Sequence, residues 1–376
     1  MKHLVSLLVA AAWLLLLPED AHAWGPGTHI ALGEGVLRTL YLLPPATRIL
    51  LERYPLHFLY GSVAADISFA KKYAPVGRHC HHWHVGEEIY DSADTEPMGA
   101  VALGYLAHLA ADTIAHNIYV PRRLLLTSTT QTLGHTYWEH RMDVHVGEEY
   151  LGKARRLVLE HDHSEADALF DAVLSRTLFS FNTNRRLFRG MMVFQDNERW
   201  KQVFDQILQK SRFDIPDPLR DRYLGFGFDY VMDYLINREN SRAAALDPIG
   251  EMHLRLAKMV RRRGLASGGL AEPGVLEEMA DDFFPMPEGP LLYVPNPRLS
   301  GADEESAHMR LVLPDAARPE PIRVARLEPE STARAEPEDA PEAVENSPPK
   351  GRRAKRRTKR EKGARPPRTD RDGTEN

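Results

Sequence analysis

Three polar residues, His108, Asp112 and His116, interrupt the almost wholly apolar segment AVALGYLAHLAADTIAHNIYV that spans 100–120. A second set, His135 and Glu139, follows in GHTYWEHRMD. Within each set the residues are four positions apart. On a helix that spacing places side chains about 40° from one another on one face, near enough to share a ligand. A helix that is apolar nearly all round is buried. A bare carboxylate and two imidazoles inside it would cost on the order of several kcal/mol unless they are paired or hold a metal. One His–Asp pair alone is equally well explained as a hydrogen bond in a core. Two pairs in neighbouring expected helices, with His116 extending the first, favour a divalent cation. Histidine usage agrees, because eleven of the 17 lie between Trp24 and Tyr150.

Further candidate ligands precede this stretch. His29 and Asp66 each sit in apolar surroundings, and GRHCHHWHVGEEIY (77–90) holds His79, His81, His82 and His84. Imidazoles and carboxylates without thiolate suit zinc best, with manganese and iron as alternatives. Eight or nine ligands are too many for one ion and imply two or three, sharing a bridging carboxylate. Clustered divalent ions suit phosphoester chemistry, since they acidify bound water and clamp attacking and leaving oxygens about 4 Å apart.

The elements that must carry these residues read as helices. Thr28 is an expected N-cap for a helix opening in WGPGTHIALGEGVLRTLYLL, and further helices are expected at 42–54 and 56–69. Pro97 is expected to open the long central helix, followed by helices at 131–160, 164–181, 185–211, 217–238, 241–263 and 274–283. No alternating strand pattern and no internal repeat is present. The expected fold class is all-α, with one multi-helix domain over 24–285.

Both ends differ in composition from this domain. Residues 1–23 combine a short polar start, the apolar run LVSLLVAAAWLLLL and the small-x-small site Ala21-His22-Ala23, which together read as a secretory signal peptide. Cleavage there would make Trp24 the N-terminus, in a protein exported to the periplasm or secreted. Residues 286–376 read as a disordered tail that is first Pro-rich, then acidic, then densely basic over 350–371. The basic part suits peripheral contact with a membrane or another polyanion. The net charge of −5 therefore averages unlike regions, and the single cysteine, Cys80, excludes an intramolecular disulfide framework.

The ordered motifs resemble the zinc-dependent phospholipase C family, whose helical fold is shared with the single-strand-specific zinc nucleases. Members begin, after signal removal, with a Trp whose amino group and carbonyl oxygen bind zinc, a role the resemblance gives to Trp24. Trp24-Gly25-x-x-x-His29 is similar to the nuclease opening and brings in His29. Asp66 in GSVAAD, His81 in His81-His82-Trp83, His108-x3-Asp112 and His135-x3-Glu139 resemble the family's later ligands, with His116 between them. The resemblance implies a trizinc site. Asp66, His81, His108 and Asp112 would hold one ion, Trp24, His29 and Asp112 a second, and His116, His135 and Glu139 a third. It also implies hydrolysis of the glycerol-side phosphoester of phospholipids, with Asp66 orienting or deprotonating the attacking water. The chain departs from the family pattern in having three residues between Asp112 and His116 rather than five. It also has Gly27 where the phospholipases place an acidic headgroup-binding residue, and no β-sandwich follows the helical domain. A nuclease on the same site and a non-catalytic, metal-stabilised surface-binding protein stay open beside the phospholipase reading.

Overall fold

The computed structural model describes residues 24–126, 131–195, 213–266 and 273–293, with a few positions between 202 and 211. The expected signal peptide at 1–23 and the chain beyond 293 lie outside the described residues. Among the described residues there is no strand, and the expected all-α fold holds.

The element that organises the fold is the apolar helix α5 (Glu96–Ile114), which continues through a π-turn (Ala115–Tyr119) into α6 (Val120–Leu126). Thr95 caps its start by accepting from the Met98 N–H, and Pro97 sits in the first turn, where its missing N–H costs nothing. By length and composition the whole run could cross a membrane, yet 94% of its most apolar window is buried inside the domain. It packs on α3 (Pro55–Ala64), α4 (Trp83–Asp91) and, from the other side, α11 (Asp217–Asn237). The crossing with α3 is close because Gly61 and Gly104 face each other's helix. A Cβ at Gly61 would run into the Val101 carbonyl, and one at Gly104 into the Phe58 carbonyl. This backbone approach sets the carbonyl of Ser62 beside the His108 imidazole.

Around this axis lie α1 (Pro26–Arg38), α2 (Pro45–Arg53), α7 (Gln131–Val146), α8 (Glu148–Glu160), α9 (Ser164–Val173), α10 (Phe181–Gln195), α12 (Glu251–Ala266) and α13 (Pro273–Phe283). The helix expected over 131–160 is two helices, because Gly147 takes φ 115 between them, a conformation closed to other residues. The helix expected from 241 begins only at Glu251, after a 3-10 turn at Ala243–Ala245 and a bend at Gly250. The expected start of the tail at 286 also moves. Met286, Leu291 and Tyr293 pack on the core, and the N–H groups of Leu292 and Tyr293 donate to Asp229 Oδ1 at 2.8 and 2.7 Å.

Candidate metal centre

The entry to α1 is held from outside. Gly25 is its N-cap and has no side chain to offer, while Pro26 follows at the first helical position. Asp143 on α7 supplies the missing acceptor. Its Oδ1 accepts from the Thr28 N–H at 2.8 Å and the Thr28 hydroxyl at 2.7 Å, and its Oδ2 accepts from the Gly27 N–H at 3.2 Å. Thr28 is thus inside the first turn rather than the N-cap, because Pro26 starts the helix two residues earlier. Burial pushes the Asp143 carboxyl up to about 6, against the pull of the hydrogen bonds from Thr28 and Gly27. The Trp24 ring is fully buried, edge-on to His29 at 6.4 Å between centroids, and fits against Gly227 of α11.

Asp112 lies at the centre of the array with none of its surface exposed. His29 Nε2 is 3.4 Å from its Oδ1, and His108 Nε2 and His81 Nδ1 are 3.2 and 3.4 Å from its Oδ2. His116 stands at 4.0 Å. Neither oxygen of Asp112 has a hydrogen-bond partner, and neither do Nε2 of His29, His108 and His116. The far nitrogens are engaged. His108 Nδ1 donates to the Ser62 carbonyl at 2.8 Å, and His116 Nδ1 donates to the Pro248 carbonyl at 2.5 Å. A proton on Nδ1 leaves the Nε2 lone pair facing the centre, the tautomer a metal ligand needs. Gly250, at φ 61 and tight against the His116 backbone, makes the turn that brings Pro248 there.

The electrostatics favour neutral imidazoles around a charged carboxylate. Burial pushes His116 down to about 4, and burial together with the Lys71 ammonium pushes His81 down to about 3. Burial and the neighbouring His108 lower His29. His108 itself is raised, because Asp112 and Asp66 overcome its burial. Burial alone would raise Asp112, but His108 beside it, with His29 and His116, holds it well below the usual carboxylate range.

The other expected ligands join from three elements. Asp66, on a 3-10 turn (Ala65–Ile67) closing α3, reaches His81 Nε2 at 3.3 Å and His108 Nε2 at 3.9 Å. His135 and Glu139 approach each other at 3.2 Å on α7, and the His135 ring is 5.5 Å from that of His116. Of the four histidines at 79–84, His81 is the one against Asp112. His79 accepts the His81 N–H, and His84 is exposed and bonds the Gly77 carbonyl. His29, Asp66 and His108 form one group able to hold an ion, and His81, His108 and Asp112 another. His108 thus serves both groups, and His29 faces Asp66 as well as Asp112.

Sequence reasoning missed Lys71. Its side chain is buried in the array, with Nζ 2.9 Å from Asp66 Oδ1 and 3.1 Å from His81 Nε2. Burial alone would lower its pKa, but Asp66 leaves it above the ordinary lysine value, so it is an ammonium. No spacing rule marks a lysine in FAKKYAP as buried. Asp143, in WEHRMD, gives no local sign of a capping role. Its role in capping α1 depends on a tertiary contact more than a hundred positions away in the chain. Trp138 is core, and Trp83 stacks on Tyr234 at 4.2 Å, so neither needs a substrate to explain it. Cys80 is buried with its thiol pushed up to about 11 by desolvation, an inert residue.

The donor set fits zinc. Zinc–ligand bonds of about 2.0–2.1 Å require tetrahedral ligands roughly 3.3–3.4 Å apart. The His29 and His108 contacts to Asp112 fall at 3.4 and 3.2 Å, between atoms that are buried and make no hydrogen bond. Buried polar atoms of this kind are normally satisfied.

Residues 28–183 match the family model described as zinc-dependent phospholipase C. The matched segment contains every expected ligand except Trp24, and the resemblance read from the motifs holds. No curated protein and no solved structure matches the chain.

Proposed function

We propose, from the premise that residues 28–183 form a zinc-dependent phospholipase C family domain, that the protein is an exported phosphodiesterase hydrolysing the glycerol-side phosphoester of phospholipids. The observation that carries this reading is Asp112, a fully buried carboxylate with no hydrogen bond, ringed by imidazoles whose lone pairs face it.

His29, His108, Asp112, His116, His135 and Glu139 would hold zinc, together with Trp24 if the signal peptide is removed after Ala23. Zinc, when bound, supplies an acidified water and positive charge for the phosphate oxygens. The chain's own residues supply the rest. Asp66 is oriented by the Lys71 ammonium and placed to position an attacking water. Ser62 and Pro248 hold two imidazoles in the ligand tautomer. Asp143 fixes the turn that presents Trp24 and His29. The basic segment 350–371 would hold the enzyme at an anionic membrane surface.

Phospholipid vesicles and single-stranded DNA, each offered to the protein beginning at Trp24, test this reading. The expected result is release of phosphorylated headgroup from vesicles, abolished by a chelator and restored by zinc. Cleavage of DNA with no lipid hydrolysis would replace the phospholipase by a nuclease. Hydrolysis of neither would leave a metal-stabilised binding protein.

A further inference from the structure

Among the described residues, Lys71 places an ammonium inside an array built for cations. The ammonium has three donors and no acceptor. Its Nζ stands 3.1 Å from His81 Nε2, a nitrogen that also lies 3.3 Å from the Ala65 carbonyl and 3.3 Å from Asp66 Oδ1. The other ring nitrogen, Nδ1, points at Asp112 Oδ2 from 3.4 Å. The ammonium thus fills the space between His81 Nε2 and Asp66 that a metal bound by both would need. Asp66 Oδ1 is likewise engaged by Lys71, at 2.9 Å.

The backbone is shaped to deliver this contact. Lys71 opens a 3-10 turn (Lys71–Tyr73), and Ala70 just before it takes φ 55, ψ 43. A left-handed alanine is a strained conformation. The turn that Ala70 opens buries the Lys71 side chain, while Tyr73 at its end is exposed. The ammonium is almost wholly buried, and a buried ammonium is tolerated only with close counter-charge. Here that charge comes from Asp66, with Asp112 behind it.

We infer that Lys71 takes the place of one metal ion: its ammonium occupies the corner shared by Asp66 and His81, and the centre holds two zinc ions rather than three. The inference rests on the zinc reading above and sharpens it. The ligands then divide between one ion on the His29, His108 and Asp112 side and one on the His116, His135 and Glu139 side. His81 becomes a positioning residue held between Lys71 and Asp112. Lys71 also restricts Asp66, whose Oδ1 accepts from the ammonium.

Zinc per chain, counted by elemental mass spectrometry and native mass spectrometry on wild type and Lys71→Ala, tests this directly. Two zinc ions in wild type and three in Lys71→Ala are expected, the third entering the corner the side chain vacates. Three in wild type would overturn the inference while leaving the zinc reading intact, and so would two in both proteins. Zinc in neither would overturn the zinc reading along with it. Should Lys71→Ala fail to fold, a crystal structure of zinc-loaded wild type decides the matter. Lys71 Nζ must still lie within hydrogen-bond reach of Asp66 and His81. A zinc ion in that corner with Lys71 turned outward would sink the proposal.

Discussion

Two clusters of buried carboxylate stand on either side of the central helix, and they are satisfied in opposite ways. On α11, Asp229 and Asp233 face fixed donors. Asp229 Oδ1 accepts from the Leu292 and Tyr293 N–H groups, and its Oδ2 pairs with Arg242 at 2.8 Å. Asp233 accepts from Arg242 Nε, the Arg242 N–H and Asn237 Nδ2. Asp229 Oδ1 and Asp233 are closed by the chain's own hydrogen-bond donors and Asp229 Oδ2 by the ion pair alone, and the cluster fastens the last described residues to the domain. On α5, Asp112 is equally buried but faces imidazole lone pairs, and no donor is aimed at it. Burial and charge are the same in both clusters. What separates a structural carboxylate from a ligand is whether the surrounding atoms donate or accept.

Asp112→Asn should give the largest effect, because it removes the shared ligand. Zinc content should fall. At zinc about a thousandfold above its dissociation constant, bound metal stabilises wild type by about 4 kcal/mol, most of which the variant should lose. Thermal melts with and without zinc read this, and an unchanged zinc-induced shift would erase the distinction between the clusters. Asp66 stands between the two types, since it belongs to the array yet accepts from a fixed donor. Asp66→Asn should lower turnover by about 10²–10⁴-fold, the range for loss of a general base or water-positioning group. Because Lys71 loses its counter-charge, the variant should also melt earlier, and wild-type turnover would remove Asp66 from the mechanism.

The structural cluster should behave in the reverse sense. Asp229→Ala leaves the Leu292 and Tyr293 N–H groups without their acceptor and should cost about 1–3 kcal/mol, at roughly 0.5–1.5 kcal/mol for each lost hydrogen bond. Its zinc content should be unchanged. If zinc were lost as well, the two clusters would be one unit.

The pH dependence of the zinc-free protein has a defined sign. His81 and His116 sit at about 3 and about 4 when folded, below the ordinary 6.5. The unfolded chain therefore binds more protons in that window. Stability present above 6.5 is lost as the pH falls through about 4 and then about 3. His108, raised by Asp112 and Asp66, acts in the opposite sense and offsets part of this loss. Zinc should steepen the acid limb, because protons compete with metal for the same nitrogens. Melts between about pH 7 and about pH 4 check the slope, and stability that rose on acidification would contradict the neutral-imidazole picture.

The smallest effect belongs to the α1 entry. Asp143→Ala removes the cap for the Gly27 and Thr28 N–H groups and should cost about 1–2 kcal/mol, as losses of helix caps do. It should also weaken zinc binding through His29 without abolishing it.

Much of the candidate centre was legible because candidate ligands on one helix repeat every four residues, as His108, Asp112 and His116 do. The all-α fold was legible for the same reason, from helical periodicity without strand alternation. Elements held by non-local contacts were not. The Asp143 cap, the Lys71 insertion and the Gly61–Gly104 crossing each depend on residues brought together from different segments. The break at Gly147 was missed because a single glycine inside a helical pattern does not announce a positive φ. The docking of Leu292 and Tyr293 was missed because a Pro-rich extended segment reads as tail until Asp229 is seen beneath it.

Anomalous diffraction at the zinc edge, from crystals of the protein beginning at Trp24, tests the centre most directly. Peaks bonded to His29, His108, Asp112 and His116 are predicted, with none at the Asp229–Asp233–Arg242 cluster. No peak at Asp112, with protonated imidazoles hydrogen-bonded to its oxygens, would make the array a structural polar core and contradict the enzyme reading.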